Sequence, residues 1–191
     1  MPTTSRVVVF IDNSNVFKQL ETLHRIDVQW CKLYNPKYLA EKLTGNRELV
    51  SIFFYCTPPP SFLQLKKPNE YWTQISYFEA VKKLNKVEVR YGRLAGGKDS
   101  LKEKNLDTKL TADMIKLAFE NKYDVAVLVS NDGDYQSAVE TVKELGKRVE
   151  NAYFRKSMSL ALRRACDLTR RLRRSYFRSF RDNLVLPEDA S

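Results

Sequence analysis

An α/β fold, a doubly wound and mostly parallel sheet of about five strands, is what three observations in the sequence predict. Apolar runs of six to eight residues, rich in β-branched side chains, recur at Arg6 to Ile11, Leu49 to Cys56 and Asp124 to Ser130; such runs suit strands buried on both faces. Segments with helical spacing alternate with them, the pattern of βαβ crossovers. Carboxylate-bearing stretches then follow two of these runs directly, DNSN at 12–15 and NDGD at 131–134.

Each element has its own signal. The first strand, RVVVFI, is followed by a helix from Asn15 to about Leu23. Asn35 to Leu43 is expected as the next helix, with Pro36 at a favoured first position and Gly45 just past its end. After the strand LVSIFFYC comes TPPPSFLQLKKP, 57–68, whose three consecutive prolines mark a surface loop or short insertion. Tyr71, Ile75, Phe78 and Val81 define a helix over Glu70 to Leu84, and Lys86 to Leu94 alternates like a strand. AGGKDSLKEKN reads as a polar connection. A helix beginning near Asp107 carries Leu110, Met114, Leu117 and Ala118, and it leads into the strand DVAVLVS. In NDGD, Gly133 is expected to supply a positive φ. Gln136 to Leu145 is helical and stopped by Gly146, with Arg148 to Phe154 as the last strand. Trp30, Trp72 and the aromatic residues of the first strands are expected in the core, and His24 at a helix end.

Composition narrows the chemistry. The chain has 191 residues, enough for one sizeable core. The N-terminal MPTTSRVVVFID lacks a basic region leading into a long apolar stretch, and no eighteen apolar residues run together; a cytoplasmic protein without membrane contact is expected. Cys31, Cys56 and Cys166 show no CxxC spacing and His24 is the single histidine. A zinc site, a disulfide framework and a Ser/His/Asp mechanism therefore find no support. Lys98 in AGGKDS lacks the GxxxxGK[ST] frame of a phosphate loop.

The acidic residues carry the functional signal. Open parallel sheets bind ligands outside the carboxyl ends of their strands. Asp12 follows the first strand there, Asp132 and Asp134 follow a later one, and Asp107 and Asp113 lie in the first turns of the helix leading into that strand. Taken singly, Asp12 and Asp107 read as helix caps and NDGD as turn chemistry. Together, carboxylates gathered at one edge repel unless a cation neutralises them, and an all-oxygen set selects Mg²⁺ or Mn²⁺. Such an ion suits hydrolysis of a phosphodiester.

The order VVVFIDNSN, EKNLDTKLTADMIKLA and DVAVLVSNDGDYQSAVETVKELGKRV resembles the NYN domain, in its LabA-like (DUF88) branch, related to PIN and FEN-type nucleases. The resemblance covers about residues 6 to 166. It implies a PIN-like Rossmannoid three-layer α/β/α sandwich and a metal-dependent ribonuclease acting on RNA, single-stranded by expectation. The metal and catalytic positions so implied are Asp12, Asp107, Asp113, Asp132 and Asp134, with Asn15, Lys104 and Ser130 in support; Asn13, beside Asp12, is expected to support them too. An RNA-binding or regulatory module that keeps the fold without turnover stays open, as does a homodimer. A phosphatase of the haloacid dehalogenase type is disfavoured, because Ser14 stands where that class needs a second acid.

Charge is unevenly placed along the chain. Of a net +10, most comes from Arg155 to Arg181, where ten basic residues face Asp167 alone. A nuclease domain over 1–166 and a basic, arginine- and aromatic-rich extension over 167–191 are expected. Ala161, Ala165, Leu168 and Leu172 follow helical spacing, so part of this segment is expected to pack on the domain as a helix. Arg163, Arg164, Arg170, Arg171, Arg173, Arg174 and Arg178, interleaved with aromatic rings, suit contact with a nucleic acid. A solvated amphipathic helix or a dimerisation face would also use such a segment.

Overall fold

The computed structural model describes residues 4–23, 33–95, 102–155 and 159–180. His24, Trp30, Cys31 and Lys98 lie outside the described residues. The elements in chain order are β1 (Arg6–Asp12), α1 (Asn13–Leu23), α2 (Pro36–Thr44), β2 (Glu48–Cys56), α3 (Phe62–Lys66), α4 (Pro68–Lys82), β3 (Val87–Tyr91), β4 (Arg93–Ala95), β5 (Lys102–Lys104), α5 (Leu106–Phe119), β6 (Val125–Val129), α6 (Gln136–Glu144), β7 (Arg148–Tyr153), α7 (Leu160–Ala165) and β8 (Leu168–Arg171).

Six strands form one sheet in the order β3-β2-β1-β6-β7-β8, and every pairing in it is parallel. The apolar runs occupy its centre: β6 is buried at all five positions and β1 at six of seven. With both faces covered, strand residues alternate between two cores. Val7, Val9, Ile11, Val125, Val127 and Val129 pack with α1, α2 and α4 on one face; Val8, Phe10, Ala126 and Leu128 pack with α5 and α6 on the other. This is a three-layer α/β/α arrangement. From β1 the order runs outward through β2 and β3 on one side and through β6 and β7 on the other. The chain therefore reverses direction across the sheet between β1 and β6, and the crevice at a ligand-binding switch point opens between their carboxyl ends.

Several expectations are sharpened by packing. The alternating run 86–94 is divided at Gly92, where an added Cβ would stand 2.7 Å from Thr57 Oγ1 and 3.0 Å from Leu106 Cδ1. After that break, β4 leaves the main sheet and pairs with β5, taken from the stretch expected as a connection. Within 57–68 the prolines give way to α3, and Pro68 opens α4. Gly133 has no positive φ; among the described glycines that conformation belongs to Gly45 and Gly146. Gly133 is instead needed for close approach, since a Cβ there would meet Ser159 Oγ at 2.8 Å.

The helical spacing through Ala165, Leu168 and Leu172 does not continue as a helix. α7 stops at Ala165, and Asp167 joins the chain to β7: its N–H donates to Val149 O and its Oδ2 accepts from Val149 N–H, both at 2.8 Å. Lys143 adds an ion pair at 3.1 Å. From this clamp β8 runs along β7 as the sixth strand. Leu172, Phe177 and Phe180 then close the core that contains Tyr34 and Tyr77, with the Phe177 ring edge-on to Tyr34. Leu168–Arg171 thus belong to the sheet, and Leu172, Phe177 and Phe180 to the core.

Beneath them lies a buried ion pair. Glu150 of β7 is 2% exposed, and Arg47 grips it with two nitrogens at 2.6 and 3.1 Å while donating to Thr44 O and Leu43 O.

Candidate active site at the carboxyl edge

β1 ends where its last side chain turns toward the α5 layer. Asp12 is 3% exposed, yet it is well supplied with donors. Its Oδ1 accepts the Asn15 N–H at 3.0 Å, which makes it the N-cap of α1. Its Oδ2 accepts from Ser130 Oγ at 3.0 Å and lies 3.3 Å from the Tyr135 hydroxyl. The cap that the sequence allowed at Asp12 is therefore formed by one oxygen, while the other faces Ser130 and Tyr135.

Tyr135 carries the link to the next acid. Its hydroxyl donates to Asp107 Oδ1 at 2.7 Å. A phenol has one hydrogen, and the shorter distance assigns it to Asp107. Asp12 and Asp107 thus converge on a single oxygen, Asp12 at the floor of the crevice and Asp107 exposed at its mouth. Burial, and then the charge of Asp12 and the bond to Asp107, push the Tyr135 phenol far above its ordinary pKa, so it stays a donor.

The loop after β6 is built around the same point. Ser130 Oγ, having donated to Asp12, accepts the Asp132 N–H at 3.1 Å. Asp132 Oδ1 then caps the turn by accepting the Asp134 N–H at 3.1 Å. The Asp134 side chain is exposed. Asn15 Oδ1 accepts the Asn131 N–H at 3.1 Å, tying α1 to this loop. Asn131 in turn pairs with Phe154 through both its amide groups, and Asn151 donates to Ser130 O at 2.8 Å. Asn13 sits behind the site, accepting from Tyr34 OH at 3.0 Å.

Asp113 is placed apart. It lies six residues beyond Asp107 on α5, about 9 Å along the axis. Its Oδ2 accepts from Tyr55 OH at 2.8 Å and stands 3.5 Å from Arg90 Nε. The Arg90 guanidinium also lies over the Phe53 ring at 5.2 Å. Burial and the neighbouring Asp113 raise the Tyr55 pKa strongly. Lys104 pairs through its backbone with Arg93 in the β4–β5 hairpin. The arginines of the C-terminal segment are distributed over α7 (Arg163, Arg164), β8 (Arg170, Arg171) and the chain beyond it (Arg173, Arg174, Arg178).

Among the described residues, no three His, Cys, Asp or Glu side chains are grouped to hold a metal ion. What the site offers is an all-oxygen pair, Asp12 and Asp107, sharing one phenol oxygen. That donor chemistry fits Mg²⁺, which ordinarily takes one or two carboxylates from a protein and completes its shell with water and phosphate oxygens. Tyr135, Asn131 and Asn151 were not singled out by sequence reasoning. Tyr135 directly follows NDGD, and that adjacency to a proposed ligand turn is the signal that could have found it.

Compared with known proteins, the chain matches the model of the NYN domain over residues 6–172. No curated protein matches it. Among solved structures it is similar to a protein of unknown function from Vibrio parahaemolyticus, with a TM-score of 0.68 at 18% identity over 93% of this chain and 99% of that one. At that identity the likeness concerns the fold.

Proposed function

The chain belongs to the NYN domain family, whose members are generally nucleases, and from that premise we propose that it is a metal-dependent ribonuclease hydrolysing phosphodiester bonds in single-stranded RNA. Within the family we place it in the LabA-like branch on its three motifs. The observation that carries the reading is the convergence of Asp12 and Asp107 on the Tyr135 hydroxyl at the switch point of the sheet.

Asp12 and Asp107 would hold Mg²⁺ or Mn²⁺, with Asp132 and Asp134 on the loop after β6 lending the negative charge that completes the site, while Asp113, paired with Arg90 and Tyr55, stands outside it. When bound, such an ion lowers the pKa of a water and neutralises charge developing on the phosphate. The chain's own residues do the positioning. Ser130 and the Asn15 N–H hold the two oxygens of Asp12 in fixed directions, so the carboxylate presents one orientation to the crevice. Tyr135 holds Asp107 toward Asp12 against their mutual repulsion. Asn15 fixes the loop that carries Asp132. The arginines beyond α7 would draw the phosphate backbone to this edge, with a contribution that falls as salt rises.

The test is Asp12→Asn and Asp132→Asn, assayed on single-stranded RNA in Mn²⁺. Cleavage is expected to be abolished in both, with the fold retained by circular dichroism; full activity in both would sink the assignment. The engagement of Asp113 by Tyr55 and Arg90 favours a second reading, an RNA-binding module without turnover. That reading predicts salt-sensitive binding and no cleavage by the wild-type chain.

A further inference from the structure

Beyond β8 the chain passes through the 3₁₀ turn Arg174–Tyr176, and a pocket of about 510 Å³ opens there, lined by Leu168, Arg170, Arg171, Arg173, Ser175 and Tyr176. Its size is that of a small-molecule site. Its lining combines three guanidinium groups, a hydroxyl and an aromatic ring: planar forks for a phosphate, and a surface on which a base can stack. Successive strand residues face opposite sides of a sheet, so a pocket lined by both Arg170 and Arg171 wraps the outer edge of β8. Arg170 is held from below by Glu150, whose Oε2 lies 3.6 Å from its Nε. Arg171 and Arg173 are exposed and can turn to an incoming anion.

The sheet register fixes where this pocket stands relative to the carboxylates. Ile11, Val129, Ala152 and Arg170 lie opposite one another across β1, β6, β7 and β8. The next residues on, Asp12 in β1 and Arg171 in β8, are therefore level at the same carboxyl edge. Three interstrand spacings separate them, about 14 Å. That span is roughly four nucleotides at the stacked spacing of 3.4 Å, and fewer in an extended strand.

We propose that this pocket is a nucleotide-binding subsite that seats one unit of the RNA strand a few nucleotides from the bond held at Asp12 and Asp107. It therefore sets a minimum substrate length. The inference rests on the ribonuclease reading, but binding can be measured without cleavage, so the two can fail separately. A free mononucleotide offers the same phosphate and base, and dependence on strand length separates the two sources.

The experiment measures fluorescence anisotropy of labelled oligouridylates of about two to twelve nucleotides, with Ca²⁺, another hard oxygen-seeking ion, in place of Mg²⁺ or Mn²⁺, and with uridine monophosphate as competitor. Wild-type affinity is expected to rise with length until the strand spans both sites, and then to level off. Arg171→Ala with Arg173→Ala should remove that rise, weakening the longer strands about tenfold for each arginine. The slope of log affinity against log salt should fall by about 1.4 for two lost phosphate contacts. Tyr176→Leu should weaken the long strands and Tyr176→Phe should not. Wild-type affinity of the double variant at every length would overturn the subsite. Uridine monophosphate binding as tightly as the longest strand would overturn its assignment to RNA. If the length dependence appears but the wild-type chain cuts nothing in Mn²⁺, the subsite stands and the ribonuclease reading fails.

Discussion

Replacing Tyr135 by Phe removes the one hydroxyl on which Asp12 and Asp107 converge and changes nothing else in the core. The bond it breaks, to Asp107 at 2.7 Å, is a hydrogen bond to a charged acceptor, a class worth about 1.5–3 kcal/mol. Two features of the site reduce that figure. Asp107 is exposed and water can replace the phenol; Asp12 is buried, but it keeps the Asn15 N–H and Ser130 Oγ. A metal-free cost of about 1–2 kcal/mol follows. A cation between the two carboxylates would neutralise the repulsion the phenol now tempers, so saturating Mg²⁺ should at least halve that cost. Urea unfolding of wild type and variant, each in EDTA and in excess Mg²⁺, reads both numbers. A loss above about 4 kcal/mol would show that the hydroxyl supports far more than this pair. A loss that is the same with and without Mg²⁺ would refute the shared-cation reasoning.

Other outcomes follow from the same contacts. Arg47→Ala leaves Glu150 buried, with Arg170 Nε as its nearest cation at 3.6 Å, and should cost about 3–5 kcal/mol; Glu150→Ala leaves Arg47 with two carbonyl acceptors and Arg170 on the edge strand, both more exposed than Glu150, and should cost less, so equal losses in urea melts would contradict this account. Gly133→Ala pushes on Ser159 Oγ, which caps α7 by accepting the Leu162 N–H at 3.2 Å, and should cost about 1 kcal/mol; adding Ser159→Ala should make the two changes less than additive. Hydrogen bonds from Arg6 hold the Asp124 carboxyl below its ordinary pKa. At Asp167, burial alone would raise the pKa, but the Val149 N–H and Lys143 outweigh it, so it too is lowered. Their stabilisation is therefore present above the unfolded carboxylate value of about 3.9 and is lost as pH falls through the lower folded values. Melts across the acid range should show that loss, and Asp167→Asn should flatten it.

How much of this could be read from the sequence depends on how local each signal is. A strand buried on both faces announces itself, which is why β1, β2 and β6 stand where their apolar runs do. The caps are local as well: Pro36 and Gly45 bracket α2 as expected. The placement of Asp12, Asp107 and Asp132 at one edge of the sheet could be read because the carboxyl-edge rule needs only the order of elements. Edge strand β8 was hidden, because one neighbour and an open side let LTRR fold with Leu168 and Arg171 exposed. What joins or parts the acids was hidden too. Tyr135 reaches Asp107 across 28 residues of chain and Tyr55 reaches Asp113 across 58, and contacts so distant leave no periodicity. The same distance explains why Asp113 turned out to be engaged by Arg90 and Tyr55.

The central claim, that Asp12 and Asp107 form one cation site at the β1–β6 switch point, is tested most directly by a crystal soaked in Mn²⁺ and measured for anomalous scattering. The account predicts a peak in contact with both carboxylates, close to the Asp132 loop. Saturating Mn²⁺ with no peak there, or a peak confined to Asp113, would contradict it.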